Sequence, residues 1–198
     1  MSRSVTSPVA PSPHPRDPRV FVHAGGGAQP CPVVGFAALS GSGKTTLLVK
    51  VIPLLRARGV RVGLIKRAHH SFDADVPGKD SYELRRAGAS RVLIGSERRW
   101  ALVVENEPPE PPTLAMLLRE LRPESLDLVI VEGFKGDPIP KIEVHRPRLG
   151  HPLLAAGDPH IVAVATDDPE FVSVALPLLD LNRPDEVADF VCLRFLAR

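Results

Sequence analysis

The chain has 198 residues, 43% of them hydrophobic and 24% charged, with a formal net charge of +2. That is enough chain for one well-packed core, and too balanced a charge to imply nucleic acid or an anionic membrane as partner. Its two cysteines, Cys31 and Cys192, stand far apart, which excludes a disulfide framework or a cysteine-based zinc site and fits a reducing cytoplasm.

No apolar run approaches the length of a bilayer span, and the amino terminus lacks the apolar core of a signal peptide, so a cytoplasmic protein is expected. Residues 1–30 carry Pro8, Pro11, Pro13, Pro15 and Pro18, then Gly25, Gly26 and Gly27. With few apolar groups and stiff X-Pro steps, this segment is expected to be a disordered tail ahead of one domain, 31–198. Val20, Phe21 and Val22 form its one apolar patch able to dock.

From Pro32 strands and helices alternate. Val33 to Leu39 predicts a strand that stops at a Gly-rich turn. Residues 44 to 58 place Leu47, Leu48, Val51, Leu54 and Leu55 on one helical face, with Gly59 as the stop and Pro53 as a source of mild kinking. Val60 to Lys66 reads as a second strand, followed by a charged loop from His69 to Lys79 and a helix from Asp80 to Ala87.

Arg91 to Gly95 and Trp100 to Val104 are short strands, Glu105 to Pro112 a loop, and Thr113 to Leu121 a helix. Leu126 to Val131 and Ile161 to Ala165 are near-continuous apolar runs, the pattern of parallel strands covered on both faces. The last helix opens at Pro184 with Asp185 and Glu186 at its positive dipole end, and Val187, Phe190, Val191 and Leu193 are expected to pack it on the sheet. The alternation predicts an α/β fold: a doubly wound, mostly parallel sheet with P-loop topology.

The strongest motif is Ser40-Gly41-Ser42-Gly43-Lys44-Thr45-Thr46, between a predicted strand and a predicted helix. Its glycines let successive N–H groups curl inward toward phosphate oxygens, and the helix N-terminus adds positive potential at the same point. Lys44 is placed to reach β- and γ-phosphates, and the Thr45 hydroxyl to ligate Mg²⁺. Ala38 stands where the usual motif begins with Gly, a small cost provided φ is negative there.

Asp127-Leu-Val-Ile-Val-Glu132-Gly133 ends an apolar strand in an acid, where P-loop proteins place a second carboxylate beside Mg²⁺. Glu132 is the candidate for metal and for any catalytic role; Asp127, at the strand's start, faces away. Glu132 as a mere loop cap is the alternative. In Lys66-Arg67-Ala68-His69-His70-Ser71-Phe72-Asp73-Ala74-Asp75, the histidines and acids are metal-type ligands without a cysteine. Asp73 or Asp75 could serve Mg²⁺ through water, and Arg67 or His69 could meet phosphate. Thr166-Asp167 ends a late strand, where an acid can accept from guanine N1–H and its amine; a turn acid ahead of Asp168-Pro169 is the competing reading.

GSGKTTL, GLIKRAHHSFDADVPGKDSYELRRAGA, RWALVVE, LDLVIVEGFK with PKIEV, and VAVATD together resemble the MobB family of molybdopterin-guanine dinucleotide biosynthesis adapter proteins, from about Val33 to Phe195. The resemblance implies a dimeric P-loop protein that binds GTP with Mg²⁺, hydrolyses it slowly if at all, and assists the guanylyltransferase MobA, which joins GMP to molybdopterin. It implies that Ser40, Gly41, Ser42, Gly43, Lys44, Thr45 and Thr46 hold phosphates. Asp75 and Glu132 would then lie near Mg²⁺, with Thr166-Asp167 at the base. Pro77 to Ser81 with Arg85 would line the cleft or meet a partner. Arg67 stands where the family often has histidine, which weakens a histidine-only metal site.

Two rivals share the phosphate cradle. A small-molecule kinase needs an arginine-bearing lid, for which Arg85, Arg86, Arg98 and Arg99 are available. A metal-insertion GTPase needs a cysteine-containing or His-rich ligand set, and only His69-His70 is on offer.

Overall fold

The computed structural model describes residues 21–22, 31–68, 73 and 75–197. The rest of the expected tail, and His69, His70, Ser71, Phe72 and Ala74, lie outside the described residues.

Strand β1 is Phe21–Val22, so part of the apolar patch in the tail pairs with the core. It runs antiparallel to the start of β2 (Cys31–Ala37). The phosphate-loop motif follows, then α1 (Lys44–Ala57) and β3 (Val62–Lys66). Next come α2 (Asp80–Arg86), β4 (Arg91–Gly95), β5 (Trp100–Val104) and α3 (Leu114–Leu121). The chain continues through β6 (Leu128–Glu132), β7 (Lys141–His145), β8 (Ile161–Thr166), β9 (Leu178–Asp180) and α4 (Pro184–Val191).

Six strands form one parallel sheet in the order β3-β6-β2-β7-β8-β9. Alternation of side chains sends each strand to two cores. Val34 and Phe36 of β2, Leu128 and Ile130 of β6, and Ile142 and Val144 of β7 pack against Leu47, Leu48, Val51 and Leu55 of α1 and Val187, Ala188 and Val191 of α4. The opposite faces, with Val33, Val129 and Val131, meet Leu114 and Leu118 of α3. Helices on both faces make the sheet doubly wound, as its apolar strands require.

Local signals set the helix ends. Thr113 caps α3 by accepting from the Met116 N–H at 3.2 Å. Gly59, at φ 81°, ends the turn after α1, and Pro184 opens α4 ahead of Asp185 and Glu186. Leu193 departs from expectation: it is 76% exposed, because the chain leaves α4 through a π-helical turn, Cys192–Leu196, that turns Phe195 inward instead.

Strands β7 and β9 are not evident from hydrophobic pattern. Lys141, Glu143 and His145 alternate with Ile142 and Val144, and all five are buried. The charges are compensated locally. Lys141 donates to the Asp137 carbonyl at 2.6 Å and pairs with Asp158 at 3.0 Å. Glu143 accepts from the Leu154 and Ala155 N–H groups, each at 2.8 Å.

Strands β4 and β5 pair only with each other among the described residues, as an antiparallel hairpin next to α2.

Candidate functional site

The sheet order places β2 at a topological switch point. The chain passes from β2 to β3 on one side, while β7, β8 and β9 extend the sheet on the other. Ligands of open α/β sheets bind at such a point, outside the carboxyl ends of the strands. The loop that leaves β2 there is Ala38–Gly43.

Gly41 and Gly43 both hold positive φ, 79° and 88°, a backbone that a Cβ would strain. Ala38 is not among the positive-φ residues, so alanine meets the condition set for it. Ser42 is buried, and its hydroxyl donates to the Leu39 carbonyl at 2.9 Å, which closes the curl. Gly43 is the N-cap of α1 and supplies no side-chain acceptor. The first N–H groups of the helix, at Lys44, Thr45 and Thr46, have no acceptor among the described residues. Ser42, Gly43, Lys44, Thr45 and Thr46, with Leu39 and Gly41, line a cavity of about 320 Å³. Its volume is at the small end of ligand pockets. Open donors and a helix dipole around such a space make an anion site.

Glu132 ends β6, the immediate neighbour of β2, with Phe36 in register beside it. It is 8% exposed. The Thr45 hydroxyl donates to Oε1 at 3.2 Å, Lys44 Nζ lies 3.7 Å from the same oxygen, and Lys66 Nζ lies 3.3 Å from Oε2. Two ammonium groups and a hydroxyl thus compensate one buried carboxylate. A hydroxyl oxygen beside a carboxylate is also the hard donor set that a divalent cation takes. The residue after it must be Gly133: at φ 94°, a Cβ there would lie 2.9 Å from Arg67 Cβ.

On the other side of the loop stands Arg146, which follows β7 and which the sequence reading did not single out. Its Nε donates to the Ser42 carbonyl at 3.1 Å, and its Nη1 is paired with Asp167 Oδ2. Arg148 Nε lies 3.9 Å from the same carboxylate oxygen. His151 Nε2 lies 3.1 Å from the Ser40 carbonyl, a contact that places the ring proton on that nitrogen. Thr166 is buried, and its hydroxyl accepts from the Asp168 N–H at 3.2 Å. Asp167 therefore faces the phosphate loop while Thr166 shapes the turn. The available signal for Arg146 was its place directly after PKIEVH; the charged alternation of that strand concealed it.

Lys44, Thr45 and Glu132 are thus brought together, and the Arg146 side chain bridges Ser42 and Gly43 to Asp167. Asp75 is held within its own loop, where Oδ1 accepts from the Ser81 hydroxyl and the Val76 N–H, each at 2.9 Å. No hydrogen bond or ion pair among the described residues joins it to Thr45 or Glu132. Asp73 is bound by the Asp75 N–H and by both Asp73–Arg85 contacts, at 2.7 and 2.8 Å, and these hold its carboxyl below the usual range. Arg85 also donates to Glu105 at 2.6 Å and lies over the Tyr82 ring, which commits it to the unit of α2 and the hairpin. Arg67 lies over the Phe134 ring, 5.5 Å from its centroid. Among the described residues no three His, Cys, Asp or Glu side chains converge as a metal site; His69 and His70 lie outside them.

Asp127 sits at the opposite end of β6, where Arg61 binds it through backbone and side chain at 2.8 to 3.0 Å. Those hydrogen bonds lower its pKa from the usual 3.8 to about 2.

Comparison with known proteins matches residues 33–167 to MobB, described as molybdopterin guanine dinucleotide synthesis protein B. The chain is 50% identical, over 81% of its length and 91% of the relative's, to the molybdopterin-guanine dinucleotide biosynthesis adapter protein of Escherichia coli. It is 44% identical, over 81% of its length and 87% of the relative's, to the adapter protein of Haemophilus influenzae. The crystal structure of a molybdopterin-guanine biosynthesis protein B superposes with a TM-score of 0.65 at 27% identity, over 83% of this chain and 99% of that one.

Proposed function

Because this chain belongs to the MobB family, we propose that it is a GTP-binding adapter in the formation of molybdopterin guanine dinucleotide, working with a MobA-like guanylyltransferase in the cytoplasm. The observation that carries this reading is the convergence of Lys44, Thr45 and Glu132 beside open backbone donors at the mouth of the phosphate loop.

In that reading the N–H groups of the loop and of the first turn of α1 donate to the phosphate chain, and Lys44 leaves Glu132 for a β- or γ-phosphate oxygen. Thr45 and Glu132 are the residues that would hold Mg²⁺. The ion, when bound, would neutralise the phosphate charge. Asp167 would accept from the N–H groups of guanine, which adenine cannot match at those positions. Glu132 keeps Lys66 at 3.3 Å and would serve the cation, so it positions rather than abstracts a proton. That supports slow hydrolysis at most and a role in presenting nucleotide, with molybdopterin reaching the complex through the partner.

The hairpin supports a homodimer. Paired in register on one face are Leu93 with Leu102, and Trp100 and Val104 beside them; they are 68%, 37%, 63% and 39% exposed. A contiguous apolar face of this kind on a small protein marks an interface, and a second copy of the same hairpin is a self-complementary cover for it.

Titration calorimetry with Mg·GTP and with Mg·ATP tests the reading, followed by addition of the protein to a guanylyltransferase assay. Preference for GTP and a higher yield of guanine dinucleotide are expected. Equal or tighter ATP binding would replace the adapter reading with the kinase one.

A further inference from the structure

The geometry points to Arg146 as a positioning residue that ties base selection to the phosphate loop; this rests on the reading of Asp167 as the acid that meets guanine. Strand β7 lies between β2, which feeds the loop, and β8, which ends at Thr166. The residue after β7 is therefore midway between the two, and a side chain of arginine length spans both.

The span has a specific effect on each partner. A peptide unit is planar and trans, so its C=O and N–H point in opposite directions. Arg146 Nε holds the Ser42 carbonyl on its own side, at 3.1 Å, which aims the Gly43 N–H away from Arg146. The guanidinium also packs on Gly43: a Cβ there would lie 3.6 Å from Nε and from Nη2. At its other end Nη1 holds Asp167 Oδ2. That leaves Oδ1 buried and without a hydrogen-bond partner among the described residues, an acceptor that carries a desolvation cost until an N–H reaches it. The planar fork of arginine presents Nε and Nη1 to two acceptors at once. A lysine ammonium on the same backbone is a single point that cannot bridge them. One guanidinium thus sets the direction of a phosphate donor and the orientation of the acid, so the base end and the phosphate end of a nucleotide are read by groups that move as a unit.

The test compares wild type, Arg146→Gln, Arg146→Lys and Asp167→Asn. Calorimetry with Mg·GTP, Mg·ATP and inorganic tripolyphosphate gives the affinities, and thermal unfolding checks that each variant is folded. Arg146→Gln is expected to lower the ratio of GTP to ATP affinity by roughly 10-fold or more and to weaken tripolyphosphate as well, since the Gly43 N–H loses its aim. Arg146→Lys is expected not to restore the ratio, and it carries the comparison if the glutamine variant does not fold. A wild-type ratio in both Arg146 variants, with a collapsed ratio in Asp167→Asn, would overturn the inference and leave the base reading intact. A wild-type ratio in all three variants would overturn the base reading and the inference with it.

Discussion

Lys44 and Lys66 share the carboxylate of Glu132, and that sharing separates binding from folding in a Lys44 variant. Removing Lys44 leaves Glu132 with Lys66 at 3.3 Å and the Thr45 hydroxyl at 3.2 Å, so the buried charge is not orphaned. The phosphate loses a charge-assisted hydrogen bond, worth about 1.5–3 kcal/mol. Lys44→Ala should therefore weaken Mg·GTP roughly 10- to 150-fold with little change in thermal unfolding. Unchanged affinity in the folded variant, measured by calorimetry, would remove Lys44 from the site.

Helix α1 joins the phosphate loop to the larger core, and its stability is that of its buried stripe. Leu55 is fully buried against the sheet and α4. Leu55→Ala should cost about 2–5 kcal/mol through lost burial and a cavity, read as a lower denaturant midpoint at unchanged slope. A second element-level contact titrates. The pKa of Asp127 is lowered by Arg61, so its stabilisation is present above the unfolded value of 3.8 and is lost as pH falls toward about 2. Asp127→Asn should thus be less stable than wild type at neutral pH, and the gap should shrink through that acid window. A gap that stays constant down to pH 2 would show that the charge does not matter there. Nearby Cys31 is pushed up to about 11, chiefly by burial, and its thiol is unreactive at neutral pH.

For the whole molecule, the hairpin is the region that the core does not claim. Its apolar face is too exposed to stabilise one chain, and its link to the domain runs through α2, where Arg85 joins Asp73 to Glu105. A charge in the middle of that face should separate two copies and leave the sheet untouched. Leu93→Glu is expected to be a monomer by analytical ultracentrifugation under conditions where wild type is a dimer, with thermal unfolding of the domain little changed. A Leu93→Glu protein that keeps the dimer mass would move the interface elsewhere.

By itself the sequence determined the features that depend on neighbours along the chain. The phosphate loop needs two positive-φ residues ahead of a helix, and Gly41 and Gly43 declare them. The apolar runs around Val129 and Val164 declare strands buried on both faces, and Thr113 and Pro184 declare helix starts. Glu132 was legible because a strand's carboxyl end is a position that chain order reveals. Strand β7 was not, since Lys141, Glu143 and His145 break the apolar pattern, and only a folded chain brings Asp158 and the Leu154 and Ala155 N–H groups to compensate them. Arg146 escaped notice for the same reason: its partners, Ser42 and Asp167, are 104 and 21 residues away, and a hydrogen bond over that separation exists only once β7 lies between β2 and β8. Composition and period specify which segments become strands, but the order of those strands across the sheet decides which side chains meet, and that order is settled by packing in three dimensions.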